Sequence, residues 1–295
     1  MESRCRIVVG LPTRGRATIL RETLSDLERQ TRKADAIIVC GADASDVEGV
    51  AESFPAVSLL TSKPGLTTQR NAIIDAAADA DADILVFFDD DFIPDPTYLA
   101  NVERHMMADP HLVVTTGRVL ADGIGGPGLS PSEGRAIVAA AHEDIDEVKP
   151  AFSGYGCNMA LRVAPMREHD IHLDDRLPLY GWQEDVDLSR RLAAFGDIVR
   201  LEGARGVHLG VKSGRGSGVK LGYSQVANPL YLAGKHAGYP LGRALEHIAR
   251  NMAKNLARAG WPEPYVDRRG RLRGNLLALR DLLTGRMAPE RVLEL

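Results

Sequence analysis

Cysteine is scarce. The 295-residue chain has three, Cys5, Cys40 and Cys157, odd in number and scattered. That excludes a disulfide scaffold and suits a reducing, cytoplasmic setting. Long apolar runs are also missing. The best, Ile84 to Phe88, falls far short of the roughly 18 residues that read as a membrane span. The start, Met1-Glu2-Ser3-Arg4-Cys5, runs straight into a strand pattern, so no signal peptide is expected. There is no internal repeat, and the only low-complexity stretch is the Ala-rich 76–82. Hydrophobic residues at 44% and charged residues at 26% exclude disorder and collagen-like chains. The length fits one large domain, or two whose cores meet across a cleft.

Net charge is small, with 36 Lys and Arg against 40 Asp and Glu, but it is unevenly spread. Residues 204–295 carry 16 basic and 6 acidic side chains, a formal +10. The remainder holds 20 against 34, or −14. A basic end on an acidic body suits an anionic partner such as phosphate, nucleic acid or a membrane surface. A solvated basic face would look the same.

The first 120 residues alternate strand and helix. Residues 5–11 form a β-branched apolar run ended by Pro12. Leu20, Leu24 and Leu27 recur at i, i+4, i+7, one face of a helix. Strands are expected at 36–40, 57–60, 84–88 and 112–116, with a helix over 66–78. Asp95 is expected to cap a helix that starts at Pro96. Strand–helix alternation implies a parallel sheet with helices on both faces, and ligands bind where the loops gather at the carboxyl ends of the strands. Further on, 121–131 and 210–222 are glycine-rich and read as mobile loops, the second carrying Lys212, Arg215 and Lys220. A helix follows Trp182, and a strand is expected at 198–201. Leu241, Leu245, Ile248, Met252 and Leu256 make an amphipathic stripe, with Arg243, Arg250, Lys254 and Arg258 off it.

Two acidic clusters carry chemistry. Asp89-Asp90-Asp91 ends the most apolar strand, and alternation sends Asp89 and Asp91 to the same side. Their repulsion is relieved by a cation between them. Hard divalent ions take carboxylate oxygen, and Mg²⁺ adds substrate phosphates to one or two protein carboxylates. A solvated acidic turn, or a phosphatase with an aspartyl nucleophile, would also put such residues there. The second cluster, Trp182-Gln183-Glu184-Asp185-Val186-Asp187, opens a helix. Acids there are favoured by the macrodipole alone. A Trp over a sugar ring beside a carboxylate that deprotonates a hydroxyl would need the same residues.

Read together, these segments resemble a glycosyltransferase of the GT-A fold, similar to family 2. The match runs from Ile7 to His208 and its pieces come in the family's order. They are Val9-Gly10-Leu11-Pro12-Thr13-Arg14-Gly15-Arg16, Gly41-Ala42-Asp43-Ala44-Ser45-Asp46, Thr67-Thr68-Gln69-Arg70-Asn71 and Asp89-Asp90-Asp91. Gly154-Tyr155-Gly156-Cys157-Asn158-Met159-Ala160-Leu161-Arg162 and Gly181-Trp182-Gln183-Glu184-Asp185-Val186-Asp187-Leu188 complete the set. The phosphatase reading predicts only the aspartate triplet.

The resemblance implies an α/β fold, a Rossmann-like, mostly parallel sheet with a smaller acceptor-side subregion and a helical C-terminal extension. The expected division is a nucleotide-sugar half (1–120), an acceptor and catalytic half (121–210), and a basic loop with helices (211–295). It further implies an inverting transfer from a nucleotide-diphosphate sugar to a hydroxyl acceptor, a saccharide or a lipid-linked saccharide, in polysaccharide or glycolipid synthesis. Pro12, Thr13, Arg14 and Asp43 would hold the nucleotide. Lys63, Arg70 and Asn71 would lie toward the diphosphate. Asp89 and Asp91 would hold ribose and metal, with Asp90 also on the substrate, Asn158 on the acceptor side and Trp182 over a sugar ring. Asp91, Asp89 and His208 would bind Mg²⁺ or Mn²⁺. Asp185 would be the base, with Glu184 on an acceptor hydroxyl. A helix N-terminus lowers the pKa of Asp185, while desolvation opposes that. The loop after His208 is expected to close over the diphosphate. The helix at 241–258 would either pack on the core or lie on an anionic membrane. Nucleic acid is not expected, since no recognition motif accompanies the charge. A non-catalytic sugar-nucleotide binder or a scaffold subunit is the alternative.

Overall fold

A strand buried on both faces has to fill two cores at once, and the opening strands do so by strict alternation. The computed structural model describes residues 5–141, 145–213, 216–235 and 238–295. It begins β1 (Ile7–Pro12), α1 (Ala17–Leu27), β2 (Ala36–Gly41), α2 (Val50–Ser53), β3 (Val57–Thr61), α3 (Leu66–Asp79) and β4 (Ile84–Phe88). β1 pairs in parallel with β2 and β4, and β2 with β3. Ile7, Val9, Val86 and Phe88 face Leu20 and Leu24 of α1. Val8, Leu85 and Phe87 face Ile73 and Ala77 of α3. Each buried Leu, Ile or Phe side chain contributes about 1.5–3 kcal/mol.

Beyond β4 the sheet becomes mixed. β5 (Phe92–Pro94), α4 (Tyr98–Ala108), β6 (Leu112–Asp122), α5 (Pro131–Ala140), β7 (Val148–Pro150), β8 (Asn158–Arg162), α6 (Val163–Glu168), α7 (Glu184–Leu192) and β9 (Asp197–His208) follow. The order is β3-β2-β1-β4-β8-β6-β9-β5, with β7 on β9. β8 is antiparallel to β4 and β6. β9 is parallel to β6 and antiparallel to β5 and β7. The result is an α/β fold whose first half is parallel throughout.

Several elements depart from the sequence-based expectation. β5 and β7 are too short to show a period. β6 and β9 run on to Asp122 and His208 through register shifts that break the apolar alternation. α5 starts inside the Gly/Pro-rich segment, where Ser130 and Glu133 form a capping box ahead of Pro131. Asp95 does not cap α4. Its carboxylate accepts from Thr97 N (2.9 Å) and Thr97 Oγ1 (2.6 Å), closing a turn before the helix begins at Tyr98.

The chain ends in α8 (Gly218–Lys235), α9 (Leu241–Arg258) and α10 (Arg268–Leu283). They share a core of Tyr223, Val226, Ala227, Ile248 and Ala278, joined by Val292 from the segment after α10. Part of the expected 210–222 loop is therefore helix. Gly222 serves helix packing there: a Cβ on it would sit 2.1 Å from the Arg271 carbonyl of α10, and one on Gly274 would sit 2.1 Å from the Val219 carbonyl. Of the stripe expected on α9, Ile248 is buried and Met252 packs against this core, while Leu241, Leu245 and Leu256 are exposed. Among the described residues no helix is long and apolar enough to cross a membrane.

Candidate active site

The carboxyl end of β4 meets the end of β9. β4 stops at Phe88, Asp89 to Asp91 turn, and β5 then pairs Phe92 with His208. That register sets the imidazole beside the aspartates. One oxygen of Asp89, one of Asp91 and one nitrogen of His208 lie within 4.8 Å of one another. His208 Nε2 is 3.4 Å from Asp91 Oδ1 and 3.9 Å from Asp89 Oδ2. On its other side, His208 Nδ1 is 2.9 Å from Asp122 Oδ1 at the end of β6. The Tyr155 hydroxyl donates to Asp122 Oδ2 (2.9 Å). A carboxylate behind an imidazole fixes the ring and leaves the far nitrogen for a metal.

The donor set fits a divalent cation. Asp91 Oδ2 accepts from Val211 N (2.7 Å), but the buried Oδ1 has no hydrogen-bond donor. A buried carboxylate oxygen without a donor is costly unless a cation faces it. Carboxylate with imidazole suits Mn²⁺ or Mg²⁺. Burial alone would lower the pKa of His208, yet the hydrogen bond to Asp122 and the charges of Asp91 and Asp89 push it up to about 10. With no cation, a proton on His208 does the neutralising. Burial works to raise the Asp91 carboxyl, but His208 and Arg16 hold it below the usual range.

Asp90 turns away from this cluster. It accepts from Thr13 Oγ1 (2.7 Å) and Arg16 Nη1 (2.8 Å), and its carbonyl accepts from Thr23 Oγ1 (2.7 Å). It fastens the loop after β1 beneath the Asp89–Asp91–His208 cluster, and burial raises its carboxyl to about 7. Arg16, which the sequence reading passed over, also donates to the carbonyls of Ser213 (2.9 Å) and Val211 (3.3 Å). The segment after His208 is thus held against the cluster. Lys212 Nζ donates to the carbonyls of Gly123 (2.9 Å) and Ile124 (3.1 Å). Lys220 lies in α8, and Arg215 lies outside the described residues.

Two buried side chains missed in the sequence shape the loops after β1 and β2. Gln69 Nε2 donates to the carbonyls of Thr13 (2.7 Å) and Cys40 (2.8 Å). Asp46 accepts from the backbone of Gly15 (2.6 Å), Ala42 (2.8 Å) and Asp43 (2.9 Å). Pro12 and Thr13 are buried under these loops. The Asp43 carboxylate is exposed and accepts from Ser45 N (3.0 Å). Arg14 and Lys63 are exposed. Asn71 holds the chain before α7, donating to Leu173 O (3.0 Å) and Asp175 Oδ1 (3.1 Å). Asn158 is fully buried; its Oδ1 accepts from Thr116 Oγ1 (2.7 Å), so it braces β8 to β6 and has no surface for a substrate.

Arg70 is neither on the surface nor free for phosphate. Its buried guanidinium pairs with Glu184, contacts Asp89 Oδ1 (3.0 Å) and donates to the Gly156 carbonyl (2.6 Å). Gly156 N in turn donates to Asp185 Oδ2 (2.8 Å). A Cβ on Gly156 would lie 3.0 Å from Arg70 Nη1 and 3.2 Å from Glu184 Oε1, so glycine lets these groups converge. Three carboxylates surround one guanidinium. Burial, helped by Asp185, pushes Glu184 up to about 8, and burial also raises Asp185. The macrodipole expected to depress Asp185 is thus outweighed.

The chain entering α7 is strained. Leu179, Gly181 and Gln183 have φ of +60°, +62° and +70°. Two of these are not glycine, and such residues persist only where the surroundings enforce them. Between them stand Tyr180 and Trp182, stacked at 6.2 Å and 30°. Asn228 Nδ2 donates to the Trp182 carbonyl (2.9 Å) and the Tyr239 hydroxyl to Gln183 Oε1 (3.0 Å). The Trp182 Nε1 is buried and has no hydrogen-bond partner.

The family model of glycosyl transferase family 2 matches residues 8–169, more than half of the chain. Among solved structures, S. aureus TarS 1-349 is similar with a TM-score of 0.58 at 15% identity, covering 97% of this chain and 82% of that one. The same protein in complex with UDP-GlcNAc gives 0.57 at 15% identity, with the same coverage of 97% and 82%. The mannosyltransferase PcManGT from Pyrobaculum calidifontis, in complex with GDP-Man and Mn²⁺, gives 0.54 at 17% identity, covering 99% and 86%. At these identities the likeness is one of fold. No curated protein matches the sequence.

Proposed function

The chain belongs to glycosyl transferase family 2, and from that premise we propose that it transfers a sugar, with inversion, from a nucleoside-diphosphate sugar to a saccharide hydroxyl. The carrying observation is the link between two half-sites. Asp89, Asp91 and His208 gather on one side, Asp185 stands on the other, and Arg70 with Gly156 joins them. The neighbours solved with UDP-GlcNAc and with GDP-Man and Mn²⁺ support a nucleotide-sugar donor and a divalent ion.

In this reading Asp89, Asp91 and His208 hold Mg²⁺ or Mn²⁺. When bound, that ion supplies Lewis-acid stabilisation of the departing diphosphate. Asp122 keeps His208 Nε2 turned toward Asp91 and Asp89. The exposed Asp43 carboxylate is open to a ribose hydroxyl, and the loop carrying Thr13 and Arg14 would take the nucleotide base. Asp185 accepts the proton of the attacking hydroxyl at a carboxylate oxygen. Its raised pKa brings it nearer the operating pH, where a general base works best. Glu184, held by Arg70, orients that hydroxyl. The stacked Tyr180 and Trp182 present apolar faces that suit a sugar ring, which favours a saccharide acceptor.

The test begins with nucleotide sugars screened for metal-dependent thermal stabilisation. Turnover is then followed as nucleoside-diphosphate release with saccharide acceptors. Asp185→Asn should lower turnover by about 10²–10⁴ while donor and metal still stabilise the protein. Turnover equal to wild type would refute the assignment.

A further inference from the structure

The helical end presents a surface that the transfer reaction does not use. On α10, Arg269, Arg273, Leu276, Arg280 and Leu283 are all exposed, at successive spacings of 4, 3, 4 and 3 residues. That spacing is a single face of a helix. Leu276 is 55% and Leu283 88% exposed, and Trp261, between α9 and α10, is 87% exposed. Beside them lies a groove of about 410 Å³ floored by Leu272, Leu276 and Leu277 and rimmed by Arg269, Arg273 and Arg280. Lys254, Leu256 and Arg258 are exposed on the last turns of α9.

The acids nearby are already engaged. Asp281 is buried, 3.2 Å from the Tyr223 hydroxyl, and also contacts Arg280 (3.3 Å) and Arg291 (3.3 Å). Glu263 pairs with Arg268 (2.9 Å), and Asp267 caps α10 through Gly270 N (2.7 Å). Arg269 Nε donates to the Ala259 carbonyl (3.0 Å). Among the described residues Arg273 has no ion pair. The face is cationic and apolar at once.

We propose that this face of α10, with Trp261 and the end of α9, docks on an anionic lipid leaflet. A nucleic-acid backbone would answer the arginines but leave Leu276, Leu283 and Trp261 against water. A second copy, meeting the same face about a two-fold axis, would set arginine against arginine. A leaflet answers both components: headgroup phosphates take the guanidinium groups, and the indole and leucines enter the interface. The surface differs from the expectation for α9 alone. There Ile248 points inward, Arg243 lies 3.7 Å above the Phe152 ring, and Arg250 pairs with Glu246 (2.6 Å).

The test is co-sedimentation of the full chain with vesicles of phosphatidylcholine alone and with added phosphatidylserine or phosphatidylglycerol, at low and high salt. Binding should require the anionic lipid and weaken with salt. Arg273→Gln should lower the partition coefficient about fivefold. Leu283→Glu should lower it more than tenfold. Both positions are exposed, so both variants should keep the wild-type melting temperature. No binding at low salt, equal binding to neutral vesicles, or variants that bind like wild type would overturn the proposal. So would a concentration-dependent dimer in light scattering that Leu276→Glu dissolves, since that face would then belong to a second copy. Donor hydrolysis measured on the same samples keeps this outcome separate from the transferase reading.

Discussion

Replacing Arg70 with Met isolates the group that ties the Asp89–Asp91–His208 cluster to Glu184 and, through Gly156, to Asp185. The side chain is 1% exposed and faces Glu184, Asp89 and the Gly156 carbonyl. The guanidinium also lies over the Phe87 ring, 5.2 Å from its centroid; Met keeps much of that volume but removes the charge. Taking one partner from a buried ion pair costs about 3–5 kcal/mol, because the remaining charge is left without compensation. Here Glu184 can escape by taking a proton, and its carboxyl is already raised to about 8. Protonation should therefore cap the loss near about 3 kcal/mol at pH 6. A carboxyl whose folded pKa is raised contributes stability below its unfolded pKa and loses it as pH climbs toward the folded value. In the variant the folded pKa climbs further still. Below about pH 8 the wild-type carboxyl is itself protonated and the two proteins run in parallel, so the destabilisation should be larger at pH 9 than at pH 6, by at most about 1.4 kcal/mol. Urea unfolding at the two pH values, with the slope against denaturant checked for constancy, measures it. A loss below about 1 kcal/mol at both values, or a larger loss at pH 6, would refute this reading of the cluster. Arg70→Lys should recover only part of the stability, since one ammonium cannot span three acceptors set out for a planar fork.

Three further outcomes follow from the same geometry. Asp122→Asn should weaken Mn²⁺ binding about 10- to 100-fold without removing a ligand, because Asp122 only orients His208; titration calorimetry reads this directly. His208 is protonated up to about pH 10 in the metal-free protein, so Mn²⁺ must displace that proton. Affinity should then rise about tenfold from pH 7 to pH 8, with one proton released, as calorimetry in buffers of different ionisation enthalpy would report. Gly222→Ala forces a Cβ to within 2.1 Å of the Arg271 carbonyl and should destabilise the helical end by about 1–3 kcal/mol, seen as a lower melting temperature.

The strands and helices from β1 to β4 were legible because each is long enough to show its period. The aspartates after β4 and the acids opening α7 were legible as clusters of one residue type at an element's end. His208 was named through the family resemblance alone; the register of β5 on β9 that sets it beside the aspartates is not carried by sequence spacing. Arg70 shows the other limit. Its segment was recognised, but only the fold reveals that α3 buries it between Asp89 and Glu184 rather than turning it to phosphate. Gln69 and Asp46 went unread because a buried amide or carboxylate that serves backbone groups leaves no pattern in the chain. The glycines at 218 and 222 were read as mobility, since composition cannot separate a flexible loop from a close helix crossing.

The central claim is that Asp91, and not its neighbour Asp90, grips the divalent ion. Electron paramagnetic resonance of Mn²⁺ titrated into the protein with a nucleoside diphosphate compares wild type, Asp91→Asn and Asp90→Asn. The account predicts that Asp90→Asn, which keeps an acceptor for Thr13, binds the ion nearly as wild type does, and that Asp91→Asn loses it. Undiminished binding by Asp91→Asn would contradict it.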